Sequence, residues 1–112
     1  MKRTAISALL ALVILLPAIA KELSTETIAL PTIQCTMCKQ TIETKLAELE
    51  GIQSITVDVE KHNAVVVFNG ETVTLSQIET AITKIGYDAN EKKAVLKAQK
   101  KLSPCCQPGG DR

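Results

Sequence analysis

The chain has 112 residues, with 13 Lys and Arg, 12 Asp and Glu, one His and four Cys. That length holds one small domain, and 2% aromatic residues with near-balanced charge exclude a base-stacking platform or a broad nucleic-acid-binding face. With 46% apolar residues the chain can fill a core, but it keeps little surface for a large enzyme cleft.

Residues 1–20 read MKRTAISALLALVILLPAIA. Lys2 and Arg3 start it, an apolar run spans Ala5 to Leu16, and Pro17 breaks that run. Ala18 and Ala20 then supply small residues at −3 and −1, so the segment reads as a secretory signal peptide cleaved before Lys21. The alternative is a retained membrane anchor, for which the run falls short of the ~20 apolar residues of a spanning helix. An exported, periplasmic protein is the expectation. After cleavage, residues 21–91 hold 5 basic residues against 11 acidic ones, whereas residues 92–112 hold 6 basic residues against Asp111 alone. An acidic domain therefore carries a basic tail, which is either a solvated extension or a docking strip for an acidic partner.

Lys21 to Glu26 reads as a polar lead-in, and Thr27 to Ile33 as a β-branched strand with Pro31 at an edge. Ile42, Leu46 and Leu49 recur at helical spacing and predict an amphipathic helix that Gly51 stops. Ile55, Val57 and Val59 alternate with polar residues, and Ala64 to Phe68 follows the Lys61-His62-Asn63 turn, so the two make a hairpin. Thr74 with Gln77 forms a capping box, and Val73 with Ile78 a hydrophobic staple, for a second helix with Ile78, Ile82 and Ile85 inward. Gly86 ends that helix, and a short fourth strand is predicted within Tyr87–Val95. The order βαββαβ predicts an α+β, ferredoxin-like sandwich: a four-stranded antiparallel sheet with two helices on one face. Residues 96–112 end in SPCCQPGGDR and predict a flexible, unpacked tail.

Cys35-Thr36-Met37-Cys38 falls between the first strand and the first helix. At i, i+3 on a helix start both sulfurs can face one point, and the helix N-terminus favours the thiolate that binds metal. Two soft thiolates suit Hg(II) or Cu(I), whereas Zn(II) normally takes four ligands. A bare CxxC also fits a redox pair, half a zinc site or a disulfide.

IQCTMC ahead of a helix, with GYDA (Gly86 to Ala89) closing the second helix, resembles the heavy-metal-associated domain family. The resemblance covers about residues 26–95 and includes copper chaperones, domains of copper-pumping ATPases and periplasmic mercury-binding proteins. It implies the ferredoxin-like fold and, with the cleavage expected before Lys21, a heavy-metal-associated domain over 21–95. It also implies Cys35 and Cys38 as ligands of one soft ion, Hg(II) or Cu(I), and a membrane metal transporter or metal-pumping ATPase as partner. Members usually carry Gly-Met-Thr or Gly-Met-His before the first Cys; here Thr32-Ile33-Gln34 stands there, with Ile33 in the buried place of the Met. Tyr87 falls where bacterial members pack a side chain near the site.

Cys105 and Cys106 lie outside the resemblance. Adjacent cysteines rarely bond to each other without strain, so the pair is either an accessory metal or exchange site or a partner in other disulfides. His62 reaches the same pole but sits in a turn that solvates it, and Met37 points between the cysteines. With one His and no nucleophile set, the chain is expected to be a monomeric carrier without a nucleic-acid partner and not an enzyme. The rival is a thiol–disulfide oxidoreductase using the same CxxC.

Overall fold

The computed structural model describes residues 23–108; the signal peptide expected over 1–20 lies outside them. Three strands form one antiparallel sheet in the order β1 (Leu23–Ala29), β3 (Asn63–Asn69), β2 (Ile52–Asp58). Two main helices, α1 (Thr36–Ala47) and α2 (Leu75–Ile85), accompany the sheet. No helix among the described residues is long and apolar enough to cross a membrane.

The central strand shows why the sheet has one wet face. Ala64, Val66 and Phe68 alternate inward and are buried, while Val65 between them is 41% exposed. On that inward face they meet Cys38, Ile42 and Leu46 of α1 and Ile78 and Ile82 of α2. Each buried Val, Ile, Leu or Phe among them contributes about 1.5–3 kcal/mol by leaving water. Helix α2 begins as its capping box predicts: Thr74 Oγ1 accepts the Gln77 N–H, and Gln77 Oε1 accepts the Thr74 N–H. Helix α1 ends earlier than expected, with Glu48 as its C-cap; Gly51 (φ 97°) turns the chain three residues later.

The first strand lies nearer the N-terminus than its β-branched run suggests. Leu23–Ala29 pairs with the whole of β3, from Leu23 opposite Asn69 to Ala29 opposite Asn63. One further backbone bond, Leu30 N–H to His62 O, precedes Pro31, which has no N–H to continue the ladder.

The predicted fourth strand does not form, so the expected four-stranded sheet has three strands. Within Tyr87–Val95 only an isolated bridge joins Ala89 and Lys92. Side chains supply the reason. Asn90, at φ 52°, donates its N–H to Ala29 O and accepts the Ala29 N–H on Oδ1, so a single residue takes both backbone groups at the end of β1. Asp88 Oδ1 then takes the Ala94 N–H, and the Val95 N–H bonds to Thr83 O at the end of α2. The segment is steered towards α2 and away from the sheet.

Residues 96–108, expected to be unpacked, continue on that course. A four-residue helix α3 (Leu96–Gln99) is followed by a 3₁₀ turn at Pro104–Cys106. Leu102 packs on the core and Cys106 is buried within it. Gly86, at φ 124°, lies beneath α3: a Cβ there would stand 3.0 Å from Gln99 Cα and from Leu102 Cδ1. A side chain at position 86 would strain the backbone there and force the tail to shift.

Candidate metal centre

Cys35 is the N-cap of α1 in extended conformation (φ −154°, ψ 176°), and Cys38 lies in the first turn of that helix. Their sulfurs are 3.6 Å apart, with Cys38 buried and Cys35 half-buried. All four cysteines are free thiols.

The loop that carries Cys35 is held from below and from the side. Ile33 is fully buried, and its N–H bonds to Leu30 O. Thr32 Oγ1 accepts the Asp88 N–H at 3.0 Å, tying the loop to the segment after α2. Thr32 is a positioning residue that sequence reasoning missed, because its partner lies 56 residues away. Tyr87 is fully buried with its hydroxyl unpartnered in the hydrogen-bond geometry, although that oxygen faces Cys38 and Cys106. Burial pushes the Tyr87 phenol well above its usual range.

The tail brings two more sulfurs to the same place. Cys105 Sγ is 3.7 Å from Cys35 Sγ, Cys106 Sγ is 3.9 Å from it, and the two tail sulfurs are 3.8 Å apart. The Met37 thioether is 3.8 Å from Cys105 Sγ, and its side chain is half exposed. Cys35, Cys105 and Cys106 form the group of mutually adjacent metal-binding atoms among the described residues. His62 is exposed and outside that group; what it contributes at this pole is its carbonyl, which holds Leu30.

Cys35, Cys105 and Cys106 do not titrate alike. The Cys38 backbone N–H lowers the Cys35 thiol to about 7, although the approach falls short of a full cap hydrogen bond. Burial opposes that shift, and the Cys38 side chain, the Met37 N–H and the Cys105 side chain reinforce it. Cys105 is raised, chiefly because its hydrogen bond with Cys35 retains its proton. Cys106 is pushed strongly upward by burial. Near neutral pH, Cys35 is the thiol prepared to attack an incoming ion.

Residues 27–88, more than half of the chain, match the heavy-metal-associated domain. The copper chaperone CopZ of Staphylococcus saprophyticus is 39% identical over 66 residues, which are 59% of this chain and 97% of the chaperone. The mercuric transport protein periplasmic component of Shigella flexneri is 30% identical over 69 residues, 62% of this chain and 76% of that protein. Among solved structures, a CopZ metallochaperone superposes with a TM-score of 0.57 at 30% identity, over 59% of this chain and 98% of its own. Oxidized MerP from Ralstonia metallidurans CH34 superposes with a TM-score of 0.58 at 25% identity, over 61% of this chain and 94% of its own. With the CxxC loop at the start of α1 and these relatives along most of the domain, the chain belongs to the heavy-metal-associated domain family.

Proposed function

We propose that the protein is an exported carrier of one soft ion, Hg(II) or Cu(I), which it takes up at Cys35 and Cys38 and hands to a membrane transporter or metal-pumping ATPase. The observation that carries this reading is the pair of free sulfurs 3.6 Å apart at the N-terminus of α1, one exposed enough to meet a donor and one buried enough to retain the ion. Export rests on the leader-like residues 1–20, and the partner class on the copper and mercury transport relatives.

Transfer needs no redox step. Each thiol releases its proton to solvent as its sulfur binds the ion. A thiolate of the partner then forms a bond to the ion as the bond to Cys35 breaks, and a second exchange releases Cys38. Buried Ile33 keeps the loop in the conformation that aims Cys35, and Tyr87 walls the inner side of the site. The role is binding and transfer, without catalysis.

Native mass spectrometry of the reduced mature chain under anaerobic conditions tests this. With Hg(II), Cu(I) and Zn(II) offered in competition with glutathione, one Hg(II) or Cu(I) is expected to stay bound and to be lost in Cys35→Ser. A chain that keeps no soft ion and instead exchanges disulfides with glutathione would be an oxidoreductase.

A further inference from the structure

We propose that Cys105 and Cys106 join Cys35 in a three-thiolate site for Cu(I), with the folded-back tail as a strap that closes over the ion. The inference rests on the soft-metal reading above and deepens it, since it names the ion and adds ligands outside the matched residues 27–88.

The sulfur spacing carries the proposal. The three sulfurs form a triangle with edges of 3.7, 3.8 and 3.9 Å. An ion at the centre of that triangle would lie about 2.2 Å from each sulfur, close to the ~2.3 Å of a metal–thiolate bond. A two-sulfur linear site instead needs its sulfurs about 4.6 Å apart at that bond length. Cys35 and Cys38, at 3.6 Å, reach that spacing once the loop opens by about 1 Å, whereas the triangle needs no opening. Hg(II), a larger ion, would have to spread the triangle, and Zn(II) asks for a fourth sulfur. Cys38 does not belong to the mutually adjacent set. The donor set of three soft thiolates, with a thioether from Met37 at its rim, is the chemistry that Cu(I) prefers.

The tail is also built to hold this position. Gly86 leaves room for α3 to lie on the end of α2, and Leu102 anchors the following turn in the core. The Cys106 N–H donates to Ser103 O within the 3₁₀ turn, and Gln107 Nε2 donates to Lys100 O and Leu102 O, so the turn is held to the end of α3. Cys106 is only 2% exposed, which a solvated tail would not produce. Cys35 is shared by the CxxC pair and the triangle. The ion can therefore pass between them as one copper–sulfur bond to Cys38 breaks and bonds to Cys105 and Cys106 form. No electrons are transferred; Cys105 and Cys106 give their protons to solvent as they bind, and the released Cys38 thiolate takes one up.

The test uses the full mature chain, reduced and anaerobic, loaded with one equivalent of Cu(I). X-ray absorption at the copper edge is expected to report three sulfurs at about 2.2–2.3 Å. Cys105→Ser, at an exposed position that leaves the core intact, is expected to remove one of them. It should also weaken Cu(I) retention against a chromogenic chelator by at least about tenfold. Two-sulfur coordination in the unmodified chain, or coordination and affinity unmoved by Cys105→Ser and by Cys105→Ser/Cys106→Ser, overturns the strap while leaving the Cys35/Cys38 carrier standing. A second copper that is lost with the tail cysteines, or a preference for Zn(II) bound by four sulfurs, also overturns it. A chain that retains neither Cu(I) nor Hg(II) refutes the carrier reading itself.

Discussion

Two cysteine pairs reach one place by opposite routes. Cys35 and Cys38 are positioned by α1, a twelve-residue helix whose inward face, Cys38, Ile42 and Leu46, lies in the core. Cys105 and Cys106 hang on a four-residue helix and a three-residue turn, neither of which could persist alone in water. The first pair is held by local structure that packs; the second reaches this place because Gly86 leaves room for the tail and Leu102 packs on the core. Damage to the domain should therefore disable both pairs, whereas damage to the dock should disable only the second.

Ile33→Ala is the severe way to break this contrast. Ile33 is wholly buried under the Cys35 loop, so truncation is expected to cost about 2–5 kcal/mol in chemical denaturation and to reduce metal retention at both pairs. Gly86→Ala is more selective. It forces a β-carbon into a left-handed position against Gln99 Cα, at a cost of about 1–3 kcal/mol. Thiol alkylation should then show Cys106 labelled much faster, with binding at Cys35 and Cys38 retained. Unchanged protection of Cys106 would mean that the tail docks without this approach.

Acid supplies the mildest test, and it acts on the domain alone. Glu43 Oε2 accepts from Lys39 Nζ at 2.9 Å and from the Val57 N–H at 3.0 Å, while Lys39 Nζ also donates to Val57 O. The pair thus takes both backbone groups of Val57 in β2. Burial alone would raise the Glu43 carboxyl, but Lys39 and the Val57 N–H hold it below its usual value. Its contribution is therefore fully present above the ordinary Glu range, about 4.3, and is lost as pH falls through the lower folded value. Glu43→Ala should cost about 1 kcal/mol at pH 7 and little below that window, without altering Cys106 protection at neutral pH. An equal loss at all pH values would show that the carboxylate charge is not what holds β2.

Much of the domain was legible from the chain. The period of Ile78, Ile82 and Ile85 behind the Thr74 capping box marked α2, and the alternation along β2 and β3 marked the hairpin, because these signals sit within a few residues of what they specify. The CxxC loop was legible for the same reason. The fourth strand was not: Ala94 and Val95 look strand-like, but Asp88 and Asn90 use their side chains to occupy the backbone groups a ladder would need. The docked tail was equally hidden. Leu102 and Cys106 offer no periodicity, and the space they enter is made by α2 and the Cys35 loop.

By itself, then, the amino-acid sequence determined the helices, the hairpin, the CxxC loop at a helix start and the family. Short-range periodicity and capping chemistry suffice for those. Only the tertiary structure decided that the sheet stops at three strands and that four cysteines share one pole. Both outcomes depend on contacts between residues far apart in the chain, such as Asn90 with Ala29 and Cys105 with Cys35, 61 and 70 positions apart. Such contacts form only after the core has brought their elements together, so no local stretch of residues encodes them.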